Sequence, residues 1–380
     1  MNNSIKNGLV IFIFAILLLP LLEYDFSFIR SGELHGEFTV APDIDFSWKN
    51  WFDGTYRDAK GKYNNDHIGF RPDMIRLNNE LDYSFFRKIH SEWRLLGNDN
   101  CIFQDAYIYS YLGKDYDGYP VIREKVRKLK AIQDTLEKLG KSLGFIQAPC
   151  KAFYYPEYFP AEFKDMPKGV NNFETYKRIA DSAGLNQVDF NTWFVSMKHT
   201  SKELLFAKQG FHWTVYGSLL AADSLAKYLE RQRRIHMIHP VWNNIIHTGT
   251  ARSTDDDVAR SMNLIFPLAK ETFSYPEVNY QGDKTAVKPS VIFVGDSFLF
   301  QWLNEGVLEN TFSSWQIWYY NMFLINKDCK LASKCSLENY NRIDEIDKTD
   351  CIVILYTSRN LSNMGRDFIE KTYAHYYPGK

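Results

Sequence analysis

Apolar and polar positions alternate with two different periods along most of the chain, a pattern that predicts helices separated by short strands. After Pro72 the apolar residues recur at helical spacing, and proline is favoured in the first turn, so a helix is predicted to begin there. The pattern then predicts helix 121–139, strand 143–147, helix 173–183, strand 187–190, helix 215–230, strand 290–294, helix 298–308, strand 315–320, helix 337–346, strand 351–356 and helix 360–373. Strands separated by helices indicate a mostly parallel, doubly wound α/β sheet.

The N-terminus carries an uncharged apolar segment, residues 8–22, with Lys6 before it and Glu23 after it. At about 1.5 Å per residue this segment covers roughly 22 Å, less than the ~30 Å of a bilayer core, so its length does not separate a signal peptide from a short anchor. No small-residue cleavage site follows, which favours a retained anchor with the lysine side cytoplasmic. We therefore expect a cytoplasmic tail at 1–7, an anchor at 8–22, a linker at 23–53 and one extracytoplasmic domain at 54–380.

The composition limits which macromolecular partners, disulfides and metal sites are expected. The chain has 45% apolar and 16% aromatic residues, enough for a packed core, and a net charge of -1 that offers no basic face for nucleic acid. Its five cysteines are too few for a disulfide scaffold; Cys329 and Cys335, six apart, either pair in an oxidising compartment or stay unpaired. The pair His236 and His239 has no carboxylate beside it, so neither a metal nor a cofactor is expected.

The strongest candidate chemistry lies where the apolar run 291–294 breaks at Gly295, Asp296 and Ser297. A strand that ends there delivers Ser297 to the carboxyl edge of the sheet, where active sites of such sheets lie. A serine nucleophile needs a base, and His212, between two aromatic residues just ahead of a predicted helix, is the candidate. The alternatives are a serine that caps its helix and a histidine that serves packing. The chain lacks the GxSxG, P-loop and GxGxxG motifs of other enzyme classes.

Four segments together resemble the AlgJ/AlgX-like branch of the SGNH hydrolase superfamily, envelope-side proteins of bacterial exopolysaccharide O-acetylation. These segments are residues 68–83 with 95–103, 149–160, 208–217 and 295–298. The resemblance implies an SGNH-like doubly wound, mostly parallel sheet with flanking helices, preceded by one N-terminal membrane helix. In that family the serine of Gly-Asp-Ser is the nucleophile and the histidine before tryptophan is the base, which correspond to Ser297 and His212.

The acidic member of the family's triad is missing here, because Gly210 stands where the family has an aspartate two residues before the histidine. We expect Asp189, at the end of a predicted strand, to substitute for it, with Gln209 or a backbone carbonyl as the second choice.

Two further positions follow from the resemblance. Asn321 resembles a position that contributes an oxyanion donor in some SGNH enzymes, and Arg359 is a candidate contact for the substrate. The alternatives are a turn residue for Asn321 and a surface helix start for Arg359.

The resemblance implies O-acetyl transfer onto an envelope or secreted polysaccharide through a serine acyl-enzyme, as in alginate biosynthesis. It also implies a membrane-bound O-acyltransferase as partner and a single-pass inner-membrane protein with its catalytic domain in the periplasm. A glycan O-acetyl esterase is the first alternative because hydrolysis uses the same residues. The second is an inactive glycan-binding or scaffold protein, for which Gly210 is the reason.

Overall fold

The computed structural model describes residues 3–29, 31–36, 39–90, 93–330 and 335–379. The chain divides into two compact units, the first made of residues 1–90 and 259–268 and the second of residues 91–258 and 269–380. In chain order the helices are α1 Asn3–Phe26, α2 Trp48–Phe52, α3 Thr55–His67, α4 Arg71–Phe86, α5 Asp105–Leu112, α6 Tyr119–Lys138, α7 Lys151–Tyr154, α8 Ala161–Lys164, α9 Asn172–Ala183, α10 Phe190–Met197, α11 Val215–Arg233, α12 Asp257–Ser261, α13 Leu299–Asn304, α14 Val307–Thr311, α15 Arg342–Lys348 and α16 Phe368–Tyr376. The strands are β1 Arg94–Leu96, β2 Ile102–Gln104, β3 Ser142–Gln147, β4 Gln187–Asp189, β5 His239–Val241, β6 Ile245–Thr248, β7 Phe273–Pro276, β8 Asn279–Gln281, β9 Val291–Gly295, β10 Trp315–Tyr319, β11 Phe323–Ile325 and β12 Cys351–Tyr356.

The first unit begins with the apolar helix α1. Its segment Ile5–Phe26 has a mean hydropathy of 2.4, and among the described residues it is the one helix long and apolar enough to cross a membrane. At about 1.5 Å per residue its 22 residues cover about 33 Å, which matches a bilayer core. The helix is longer than the apolar segment 8–22 because it continues through Glu23 to Phe26.

The rest of the first unit is helical as well. Helix α4 has Pro72 in its first turn, which confirms the predicted start. The stretch interpreted as a linker contains α2, and α3 was not predicted at all. The apolar pattern does not predict α3 because this helix is mostly polar, with tyrosines as its main apolar residues.

The second unit is built on a six-stranded sheet within the described part of the chain, in the order β11-β10-β9-β12-β3-β4. All neighbouring strands are parallel except β10 and β11, so the predicted doubly wound, mostly parallel SGNH-like sheet is confirmed. Alternate residues of the central strands enter two apolar clusters, one on each face. Phe293 and Val353 pack with side chains of α11 and α13, whereas Ile292 and Ile352 pack with side chains of α6, α9 and α16.

Several predicted helices end or break where the backbone turns left-handed. The predicted helix 298–308 is interrupted between α13 and α14 at Gly306, whose φ is 71°. The predicted helix 360–373 begins as the 3₁₀ turn Ser358–Asn360, and α16 follows only after Gly365, whose φ is 67°. The predicted helix 337–346 starts late, at Arg342. For the first two of these helices, a glycine within the apolar pattern marks the break.

Smaller features complete the second unit. The segment 95–103 lies in the antiparallel strands β1 and β2 and the turn between them. Two further antiparallel pairs, β5 with β8 and β6 with β7, were not predicted. Cys329 and Cys335 form a disulfide, which selects the paired alternative for these residues.

Candidate active site

Ser297 lies directly after β9, at the carboxyl edge of the sheet, and the buried Asp296 fixes the turn that carries it. One carboxylate oxygen of Asp296 accepts a hydrogen bond from the backbone N–H of Phe298 at 3.2 Å. The other accepts from the N–H and hydroxyl of Thr357, both at 2.9 Å, and from the side-chain amide of Asn360 at 2.8 Å. Asp296 thus ties the turn after β9 to the chain that leaves β12, and it holds Ser297 in place.

His212 faces Ser297 from the chain that enters α11. Its Nε2 lies 2.9 Å from the Ser297 hydroxyl oxygen. Thr214 caps α11 by accepting a hydrogen bond from the N–H of Gly217, so the helix begins just after the histidine. The neighbouring Trp213 is buried and packs on Phe298 at 5.4 Å between ring centroids. This packing fixes the histidine beside the serine without using the imidazole nitrogens.

The carboxylate at the other ring nitrogen belongs to Asp257, the first residue of α12. Its Oδ2 lies 3.2 Å from Nδ1 of His212, and its Oδ1 accepts a hydrogen bond from the N–H of Phe211 at 3.3 Å. Asp257, His212 and Ser297 therefore form a continuous series of hydrogen bonds. In this arrangement the carboxylate fixes the imidazole tautomer and orientation, and the imidazole can accept the serine proton.

The expectation for Asp189 is corrected by these contacts. Asp189 caps α10 by accepting from the N–H of Thr192 at 2.8 Å, and it pairs with Lys177 at 2.6 Å. Both ring nitrogens of His212 are engaged by other residues. Gln209, the second choice, donates its side-chain amide to the carbonyl of Ala269.

Gly210, where the resemblance implies an aspartate, lies against the backbone of the loop that carries Asp257. A Cβ atom added at Gly210 would lie 2.6 Å from the carbonyl oxygen of Thr254 and 2.7 Å from that of Asp255. The loop that carries Asp257 therefore occupies the space that a side chain at position 210 would need. In the sequence, the acidic run 255–257 is the feature that could have indicated this carboxylate. Asp257 lies 45 residues beyond His212, however, and the run shows no periodicity.

Buried hydrogen bonds hold this loop to the helices that follow the histidine and the serine. The carboxylate of Asp255 accepts from the N–H of Val215 at 3.2 Å and from the hydroxyl of Tyr275 at 2.9 Å. Burial raises the pKa of Asp255 to about 7. The buried side chain of Gln301, on α13, accepts from the hydroxyls of Ser253 and Thr254 at 3.0 and 2.8 Å. The loop is thus fixed from both sides.

The side chain of Lys151 holds the backbone of the residues just before His212. Its buried ammonium donates to the carbonyls of Lys208 and Gly210, both at 2.7 Å, and burial lowers its pKa. The carboxylate of Glu271 accepts from the N–H groups of Lys208 and Gln209 at 3.0 and 3.2 Å, and burial raises its pKa. These groups restrict the position of His212 through its backbone.

Asn321 and Arg359 lie at the same edge of the sheet, but their hydrogen bonds go to other residues. The amide of Asn321 donates to Asp367 at 2.7 Å, and the φ of 52° places it in a left-handed turn after β10. Arg359 donates to Gln104 at 2.9 Å. Asn321 also lines a cavity of about 770 Å³ whose charged residues are Lys125, Glu338, Arg342, Arg366, Asp367 and Lys371.

Within the described ranges, no group of three or more histidine, cysteine, aspartate or glutamate residues is arranged to hold a metal ion. The candidate site consists of the three hydrogen-bonded side chains of Asp257, His212 and Ser297. Their arrangement is that of a serine nucleophile, an imidazole base and an orienting carboxylate.

The fold and this arrangement define an SGNH hydrolase-like protein. Residues 95–318 match the family model described as the SGNH hydrolase-like domain of the acetyltransferase AlgX. Because this match spans more than half of the 380 residues, the chain belongs to that family.

Individual relatives are more distant. The chain is 26% identical over 149 residues to a probable alginate O-acetylase AlgJ of Pseudomonas putida, a match that spans 38% of this chain and 37% of that protein. Among solved structures, the O-acetyltransferase domain of Pseudomonas putida AlgJ aligns with a TM-score of 0.48 at 17% identity, covering 74% of this chain and 99% of that domain. Pseudomonas aeruginosa AlgX aligns with a TM-score of 0.45 at 14% identity, covering 74% and 71% of the two chains.

Proposed function

We propose that this protein is an O-acetyltransferase that moves an acetyl group onto a polysaccharide through a serine acyl-enzyme. The observation that carries the proposal is the hydrogen-bonded series of Asp257, His212 and Ser297 in a chain that belongs to an acetyltransferase family. The curated AlgJ relative is named as an alginate O-acetylase, which supports alginate or a similar anionic polysaccharide as the acceptor.

The first half-reaction forms the acyl-enzyme. The oxygen of Ser297 attacks the carbonyl carbon of an acetyl ester while Nε2 of His212 takes the serine proton. The carboxylate of Asp257 stabilises the imidazolium that results. When the tetrahedral intermediate collapses, the donor alcohol leaves with the proton from His212, and the acetyl group stays on Ser297.

The second half-reaction transfers the acetyl group. A sugar hydroxyl gives its proton to His212 and attacks the acetyl carbonyl carbon, and Ser297 leaves with that proton. We propose the backbone N–H of Ser297 as one oxyanion donor, since the N–H groups of the next three residues bond within the turn. Asn321 is a weaker candidate for this role because its amide is engaged by Asp367.

The acceptor is proposed to lie along the carboxyl edge of the sheet. Strands β10 and β12 flank β9, which precedes Ser297, and Asn321, just after β10, lines the cavity described above. Four of its six charged residues are cations, which supports an anionic acceptor. Arg359 follows β12 at the same edge and remains the proposed substrate contact nearest the turn of Asp296.

The membrane arrangement is part of the proposal. Helix α1 has the length and composition of a span, and we propose that it anchors the chain in the inner membrane with residues 1–7 cytoplasmic and the catalytic unit in the periplasm. A membrane-bound O-acyltransferase is the proposed source of acetyl groups, because an extracytoplasmic enzyme needs a donor delivered across the membrane.

The test follows an isotopically labelled acetyl group from a preformed acyl-enzyme in the presence of a polymannuronate acceptor. We expect the label on the glycan, in amounts that depend on Ser297 and His212. Label found only as free acetate would replace transfer by esterase activity, which uses the same three residues. The scaffold alternative depended on the missing acid, and the carboxylate of Asp257 at Nδ1 favours the enzyme instead.

A further inference from the structure

Four exposed aromatic residues of the first unit and the partly buried Tyr56 form a cluster, here called the aromatic patch; the exposed four are Phe46, Trp48, Trp51 and Phe52. Phe46 lies 5.2 Å from Trp48 and 5.4 Å from Tyr56 between ring centroids, and Trp48 stacks on Phe52 at 6.0 Å. Trp48 is 68% exposed and Phe52 is 81% exposed. A contiguous exposed aromatic surface of this kind marks a site of interaction, because single exposed apolar residues are common but clusters are not.

The patch lies close to the end of the apolar helix α1. Tyr56 and Tyr63 are seven residues apart on α3, so they lie on the same face about 10 Å apart along the helix axis. Tyr63 is hydrogen-bonded to Tyr24, near the C-terminal end of α1. A side chain at Gly69, just beyond α3, would collide with the carbonyl of Pro20 and with Glu23. One face of α3 therefore connects the patch to the point where the apolar segment ends.

Chemistry and charge both fit the boundary layer of a bilayer. Tryptophan and tyrosine concentrate at membrane interfaces, where the ring is buried and the polar atom stays wet. Residues 43–62 carry as many acidic as basic side chains, so attraction to anionic lipid is not the driving force. Phe46 follows Phe26, the last residue of α1, by 20 positions. Once α1 is in a membrane, this short connection keeps the patch near the membrane surface and so gives the bilayer a high effective concentration at the patch.

We propose that the aromatic patch inserts into the interfacial layer of the membrane that α1 crosses, on the extracytoplasmic side, and holds the first unit against the bilayer surface. This proposal rests on the membrane anchorage proposed above but not on acetyl transfer. The occupant is the lipid interface itself.

The test places single copies of the full chain in nanodiscs of phosphatidylcholine alone, so that no protein partner or second copy is present. Trp48 and Trp51 are the two tryptophans of residues 1–90, and the other seven follow in residues 93–318. Lipids with a nitroxide near the headgroup should quench their fluorescence more than lipids with a deep nitroxide. The double variant Trp48→Phe/Trp51→Phe should lose at least about half of this quenching, because interfacial rings lie at the depth of the shallow probe.

The matched control is Trp93→Phe/Trp242→Phe, which removes two tryptophans of the second unit and should keep the quenching. Equal quenching in the wild type and in Trp48→Phe/Trp51→Phe would overturn the proposal, as would a wild type that neither probe quenches. In either case the patch is free for a protein partner or a second copy.

A further variant, Phe52→Ser, keeps every tryptophan and removes the most exposed ring of the patch. Quenching should fall about twofold as the patch loses apolar contact with the interface, with no recovery when anionic lipid is added. Unchanged quenching would contradict insertion through this ring. Acetyl-enzyme formation should remain at the wild-type level, so a failure here is distinguishable from a failure of the proposed function.

Discussion

Gly210 and Asp257 bear on how the proposed triad obtains its carboxylate. From the sequence alone, a glycine where the resemblance implies the acid leaves two alternatives, a substitute carboxylate or an inactive protein. The structure places a loop against that glycine, and the first residue of α12 brings its carboxylate to Nδ1 of His212. The position of the acid in the sequence is thus less constrained than its position beside the imidazole.

Asp257→Asn tests that assignment. Turnover should fall by about 10³ to 10⁴, since the amide cannot hold the required tautomer or stabilise the imidazolium. The matched control is Asp189→Asn, which keeps an oxygen that can cap α10, loses the charge paired with Lys177, and should change turnover and stability little. Steady-state kinetics and denaturant unfolding of both variants show which of the two carboxylates, Asp257 or Asp189, supports turnover. The reverse pattern, with turnover lost only in Asp189→Asn, would restore the assignment made from the sequence.

Gly210→Asp, which introduces the aspartate that the resemblance implies at this position, should not improve the enzyme. The added Cβ would overlap the backbone of Thr254 and Asp255, so the variant should lose about 1–3 kcal/mol of stability and some turnover as the loop shifts. Gly61→Asp is the control, because a Cβ there meets nothing within 4 Å. A stable Gly210→Asp variant that rescues Asp257→Asn would show that the loop and the glycine are not coupled.

At the scale of the elements, side-chain hydrogen bonds connect the loop 252–257 to both α11 and α13. Asp255 ties it to the start of the helix that follows His212, and Gln301 ties it to the helix that follows Ser297. Because these bonds are buried, the loop is fixed relative to both reacting side chains.

Asp255 gives the loop a pH dependence whose direction can be stated. Its pKa rises from an ordinary value of 3.8 to about 7 on folding because burial disfavours the ionised form. Its contribution to the free energy of unfolding is therefore fully present below about pH 4 and is lost as the pH rises to about 7. Urea denaturation of the wild type between pH 4 and 8 should show this decline, and Asp255→Asn should lessen it. Identical pH profiles for the two proteins would contradict the account.

The elements that sequence reasoning located correctly are those whose pattern is both apolar and periodic. Strand β12 was predicted with its observed ends, and α6 and α9 end within one residue of their predicted ends, because buried strands and amphipathic helices carry strong signals. Ser297 and His212 were chosen from local motifs, and the structure places them together. Asp257 was missed because a carboxylate on an irregular loop has no periodicity, and its distance from His212 is set by tertiary packing.

At the scale of the whole molecule, the chain forms two compact units: the first begins with a membrane-length helix, and the second carries the three hydrogen-bonded side chains. The proposed function requires the acetyl donor to arrive at the outer side of the membrane. Anchorage by α1 would keep the catalytic unit near that donor, and the aromatic patch would restrict how far the first unit can leave the bilayer.

The most direct test of the central claim is intact-mass measurement of the full-length protein in detergent after exposure to an activated acetyl ester. The wild type should gain one acetyl group, Ser297→Ala should gain none at the site, and His212→Ala should acylate slowly because the serine lacks its base. The folded state of each variant is checked by circular dichroism. A folded wild type that gains no acetyl group, or a Ser297→Ala variant that gains it equally, would contradict the account.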